Sequence, residues 1–80
     1  VTRIVRRPIQ IESWCAHVPQ QFRDKGTLHR VADWLDVWRE MGNWWEGEGE
    51  RWMIRVMTVD GQIFDLESSD GQWWLYKVWD

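Results

Sequence analysis

Cys15 and His17, one residue apart, and His29 further along are the side chains of this sequence that could ligate a metal or pair as nucleophile and base. A structural zinc site needs four ligands, usually in paired spacings such as C-x₂₋₄-C, and nothing here completes the set without recruiting carboxylates. A cysteine nucleophile needs an activated thiolate, an oriented base and an oxyanion site, and no local motif marks any of them. The expectation is a buried thiol and two ordinary histidines, with no metal, no cofactor and no enzymatic activity.

The other candidate chemistry is acidic. Glu46, Glu48 and Glu50 alternate with Gly47 and Gly49 inside the stretch WWEGEGERW, residues 44–52. General acid–base catalysis needs carboxylates held rigidly in unlike environments, so that their pKa values separate. The glycines supply the opposite, a solvated backbone on which all three acids stay ionised. The sequence also lacks G-x-x-x-x-G-K-[ST] and G-x-G-x-x-G loops, and the acidic run lacks the ligand order of a calcium-binding EF-hand. Neither a nucleotide nor another small-molecule substrate is expected.

Recognition is better supported. Trp44 and Trp45 with Glu46, Glu48 and Glu50, together with Trp73 and Trp74, form a candidate partner-binding set. Aromatic anchors dominate interface energetics, and an acidic rim selects basic partners. Adjacent strand residues face opposite ways, so one ring of each doublet is expected in the core and the other outside. The competing reading is a single-stranded nucleic-acid binder that stacks bases on tryptophan. Its phosphate contacts would fall to Arg3, Arg6, Arg7, Arg23 and Arg30. Residues 1–39 carry a net charge of +3 and residues 40–80 carry −6. The half that holds these tryptophan doublets would therefore repel a phosphate backbone.

Eighty residues make one domain, residues 1–80, and a chain this short must bury a few large side chains well. The nine tryptophans, two phenylalanines and one tyrosine are expected to fill that core. No run of 18 or more apolar residues and no basic-then-apolar leader occurs, which predicts a cytoplasmic chain with no membrane span.

Three strands are predicted at residues 52–59, 62–67 and 72–79, with a type I′ two-residue turn at Asp60-Gly61 and a second glycine turn before Gln72. Upstream, short strands are expected at 3–7 and 9–14 around an edge or bend at Pro8, and at 18–23 before Asp24-Lys25-Gly26. Within 28–40, Val31, Trp34, Leu35 and Trp38 fall at i, i+3, i+4 and i+7. This periodicity favours a short helix, with a bent strand as the alternative. The fold class is mainly β: a small, partly open antiparallel barrel or coiled sheet with a C-terminal three-stranded meander.

The series G-x-W-W-E-G-E-x-E-R-W at 42–52, then a strand, Asp60-Gly61, a strand, and G-x-W-W-L-Y-x-V-W-D at 71–80, resembles a small bacterial tryptophan-rich domain family of unassigned function. Phe22, Gly26, Val31 and Trp38-Arg39 look similar to an upstream element of that family. The resemblance spans residues 22–80, and the arginine-rich start falls outside it. In that family the domain stands alone or is fused to the C-terminus of ImuB-type proteins, which are Y-family-polymerase-like factors in DNA-damage mutagenesis. The resemblance implies a non-catalytic accessory module, with a protein partner in a DNA-polymerase accessory complex.

Overall fold

The computed structural model describes residues 2–16, 18–41, 49–69 and 71–79. It has six strands: β1 (Thr2–Cys15), β2 (Val18–Asp24), β3 (Thr27–Met41), β4 (Glu50–Thr58), β5 (Ile63–Ser69) and β6 (Gln72–Trp79). Each strand pairs antiparallel with the next, and β1 pairs with β6 to close a barrel. No helix long and apolar enough to cross a membrane occurs among the described residues.

Two long strands make closure possible. β1 pairs with β6 through Thr2 to Ile9, then with β2 from Gln10 onward. Pro8 sits where one partner gives way to the other, so its missing N–H costs no central ladder bond. The segments expected as two strands around it are one continuous strand. β3 likewise pairs with β2 through Thr27 to Arg30 and with β4 from Val31 to Met41.

Residues 28–40 are strand throughout, which corrects the helical reading. Pairing with β4 shifts register between Val31 and Asp33 and again between Trp34 and Asp36. Each bulge adds one residue to β3. As a result Val31, Trp34 and Val37 oppose Thr58, Val56 and Ile54, a spacing of three against a spacing of two. Two bulges in a strand thus reproduced the spacing of a helix.

The hairpins follow local chemistry. Lys25 (φ 51°) and Gly26 (φ 79°) lie between the paired residues Asp24 and Thr27. Two positive φ values in a two-residue loop are those of a type I′ turn. The β4–β5 hairpin differs from expectation. Gly61 N–H donates to Thr58 O at 3.0 Å and Thr58 N–H to Gln62 O at 2.8 Å, and within the loop only Gly61 (φ 83°) has positive φ. This is a three-residue loop, a type I turn closed by a glycine bulge. Asp60 accepts the Thr58 hydroxyl, a contact that favours the longer loop.

The core is Ile9, Phe22, Val31, Ile54, Val56, Phe64, Leu66 and Leu75. None of the seven described tryptophans is fully buried; Trp34 and Trp73 pack against the core from its margin. The expected tryptophan-filled interior is thus an interior of phenylalanine and aliphatic residues. A six-stranded barrel is narrower than the roughly eight strands whose interior side chains just fill, and an indole N–H needs a partner.

Candidate functional site

The barrel is weakest between β2 and β3. Their ladder has four pairs, from Asp24↔Thr27 to Gln21↔Arg30. Beyond it the strands are linked by the Trp34 indole, whose Nε1–H donates to Pro19 O at 3.0 Å. Near this junction Val18, Val37, Trp52, Ile54, Ser68 and Trp73 line a groove of about 320 Å³. The lining draws on five strands and is mostly apolar. Val37 and Trp52 are each 48% exposed, and Trp14, 49% exposed, meets Trp73 edge to face with centroids 5.7 Å apart.

The outer face of the large sheet is built differently. Phe64 and Leu66 of β5 enter the core, while Asp65 and Glu67 face the other way and are each 1% exposed. Two acids on a covered sheet face need cations. Arg55 bonds Asp65 through Nε at 2.8 Å and Nη2 at 3.4 Å. Arg6 approaches Glu67 at 3.3 Å and Arg51 at 3.7 Å. These cations lie over rings: Arg55 over Trp79 (4.4 Å) and Trp38 (5.2 Å), Arg6 over Trp74 (4.6 Å), and Arg51 over Tyr76 (5.5 Å). Met53, fully buried but outside the core cluster, pairs with Trp38 on one side and Glu67 on the other.

The bulge in β6 decides which rings face where. Leu66 opposes Leu75 while Asp65 opposes Lys77, so Tyr76 is the extra residue. Trp73, Leu75 and Val78 therefore turn to the core, and Trp74, Tyr76 and Trp79 meet the cations outside. Trp73 belongs to the groove and Trp74 to the ion-paired face. The structure does not bring these two candidates to one surface.

Trp44, Trp45, Glu46 and Glu48 lie outside the described residues, as does the side chain of Glu50, whose backbone pairs with Met41. Of the candidate phosphate-binding arginines, Arg6 pairs with Glu67, Arg7 bonds Asp24 through two nitrogens at 2.8 and 3.2 Å, and Arg23 pairs with Glu12 at 3.1 Å. Arg30 and Arg3 are exposed on different strands. Trp52 and Val37, on the groove, and Trp14, against its Trp73, were not among the residues singled out from sequence. Alternation along β4 offered a signal for Trp52, and the bulges that turn Val37 inward were not visible. Cys15 is exposed rather than buried, because β1 ends there. His29 stacks on Phe22 at 5.1 Å and meets Phe64 edge-on; His17 lies outside the described residues. Among the described residues, no three His, Cys, Asp or Glu side chains cluster as metal ligands would.

Glu40 gives the face a dependence on pH. Its carboxylate accepts the Trp38 indole N–H at 3.1 Å and pairs with Arg51 at 3.0 Å. The indole hydrogen bond lowers its pKa from the ordinary 4.5; partial burial opposes this and the Arg51 guanidinium adds to it. The native state therefore holds this proton less readily than the unfolded chain. The resulting stability is fully present above 4.5 and is lost as pH falls through the lowered value. Urea melts at stepped pH should show Glu40→Gln less stable than wild type at neutral pH, with the gap closing on acidification. A gap that does not change with pH would refute this account.

The chain belongs to a family described as a domain of unknown function (DUF6504), whose model matches residues 3–80. No curated protein and no solved structure matches it.

Proposed function

We propose that this DUF6504 domain is a non-catalytic interaction module that docks a protein partner at the tryptophan-rimmed groove. The carrying observation is the groove itself: apolar, open, and lined by the half-exposed Trp52 and Val37, with Trp14 set edge to face against its Trp73. Half-exposed rings beside an apolar recess are the anchors that dominate protein interfaces. Glu46 and Glu48 fall in sequence between β3 and β4, the strands that carry Val37 and Trp52, Glu50 opens β4, and the three acids bias the partner toward basic character. The setting we propose is cytoplasmic and bacterial. Its link to DNA-damage tolerance comes from the resemblance to domains fused to ImuB-type proteins, and the partner would then belong to a polymerase accessory complex.

Base stacking on tryptophan is the weaker alternative. It needs a basic track beside the rings, and Arg6, Arg7 and Arg23 are already engaged with carboxylates.

A titration of tryptophan fluorescence with single-stranded DNA at low and moderate salt separates the two. Binding should be weak and should fade as salt rises, because few cations remain to meet phosphates. Salt-tolerant quenching that Trp52→Ala or Trp73→Ala abolishes would overturn the docking reading. A direct test uses a purified ImuB-type protein. Trp52→Ala should weaken binding by roughly thirtyfold, the scale of a hot-spot ring, whereas Trp79→Ala, on the other face, should not.

A further inference from the structure

We infer that the groove and the adjoining side of β3 accept an extended segment of a partner protein as an added β-strand. The inference rests on the docking reading above and specifies its geometry. β3 pairs with β4 as far as Met41, but its ladder with β2 stops at Arg30. Among the described residues, no strand pairs with this second side of β3 beyond that point. A closed barrel normally leaves no such edge, and an exposed edge is a template for another chain.

The edge is guarded in its first part and regular in its second. Bulges follow Val31 and Trp34, and the Val37 N–H donates to its neighbour Asp36 Oδ1 at 2.9 Å. From Val37 to Met41 the pairing with β4 runs without a shift. An added strand would therefore find its register over this second part. It would lie beside the groove, because Val37 forms part of the lining. Leu35, Val37 and Met41 are 44%, 48% and 65% exposed, an apolar surface without a covering strand. The groove, at about 320 Å³, is at the small end of ligand pockets (~300–1,000 Å³), a size for one large apolar side chain rather than a cofactor.

Charge selects the occupant. Asp33 and Asp36 lie along β3 beyond Arg30 against Arg39, while Glu40 is already paired with Arg51. Two copies of the strand laid edge to edge would bring this acidic excess together, which is unfavourable between facing strands. A foreign segment with an apolar residue flanked by lysine or arginine fits both features. Main-chain bonds would supply affinity and the groove would supply side-chain preference.

The probe is a panel of peptides, Lys-Thr-Val-X-Val-Thr-Lys, with X as alanine, valine, leucine or phenylalanine. Binding is read by tryptophan fluorescence and by amide hydrogen exchange. Leucine or phenylalanine at X should bind at least about tenfold more tightly than alanine, the scale of burying one such side chain. Exchange should slow at β3. Val37→Glu should abolish binding without changing the melting temperature; if that variant fails to fold, Leu35→Lys replaces it. A peptide methylated at alternate backbone nitrogens keeps its side chains and loses its main-chain donors. If it binds equally well, strand addition is wrong while docking stands. If no peptide binds at about 1 mM, where even a millimolar site would be half filled, strand addition is also wrong. The ImuB-type binding assay then judges docking alone. Concentration-dependent dimers that Val37→Glu disrupts would assign the edge to a second copy and overturn the foreign partner.

Discussion

Arg55→Met is expected to destabilise the fold by about 3–5 kcal/mol, the cost of leaving a buried charge without its partner. Asp65 is 2% exposed at its side chain and sits between β4 and β6, where water cannot replace the guanidinium. The same substitution removes a cation from between Trp38 and Trp79. At roughly 4–8 °C per kcal/mol for a domain of this size, the midpoint of thermal unfolding should fall by about 12–40 °C.

The companion variant is Arg6→Met. Glu67 is as buried as Asp65, but it keeps Arg51 at 3.7 Å when Arg6 is lost, and Arg6 is itself half exposed. Its loss should cost about 1 kcal/mol or less. Combining Arg55→Met with Asp65→Leu should recover most of the stability, since a buried pair replaced by apolar residues is often neutral. Equal, small losses for Arg55→Met and Arg6→Met would mean that water reaches Asp65 and that the face is not sealed.

This outer face explains why parts of the fold were legible in the sequence and parts were not. The meander β4–β5–β6 announced itself through glycine turns between apolar strands, which are local signals. Its two apolar faces left open whether the second was covered. Arg6, Arg51 and Arg55, which cover it, come from β1 and β4, and pairing across 61 residues leaves no mark on local periodicity. The +3 and −6 halves could form separate surfaces or neutralise one another, and local sequence does not choose between these; the chain interleaves them, setting Arg6 against Glu67. Bulges hid the rest. Two in β3 gave the strand over residues 28–40 a helical spacing and set Val37 on the groove, and another moved Lys77, Val78 and Trp79 to faces opposite those that simple alternation assigns. The groove combines both obstacles, since its lining depends on a bulge and on β2, β3 and β4 to β6 meeting at one place.

Phe22→Ala should be the most damaging single change inside the barrel. Phe22 has no exposed surface, meets Phe64 edge to face at 5.8 Å and stacks with His29 at 5.1 Å. Truncating such a ring typically costs about 3–5 kcal/mol, from lost transfer energy and the cavity left behind. An 80-residue domain has only about 4–12 kcal/mol in total, so the variant should be partly unfolded at 37 °C. The damage should also be localised. Phe22 pairs with both Ile11 and His29, at the centre of the three-stranded sheet whose β2–β3 ladder has four pairs. Among the described residues, the hydrogen bond that links these strands beyond the ladder is the one from Trp34 to Pro19. Hydrogen exchange in Phe22→Ala should therefore accelerate first in β2 and the start of β3, while β5 and β6 keep their protection until global unfolding. Uniform loss across all six strands would mean that the barrel opens as one unit and that the β2–β3 junction is not its weak seam. If the seam does open first, the groove beside it should widen in the same variant. Its affinity for the leucine-centred peptide would then fall even under conditions where β4 to β6 remain folded.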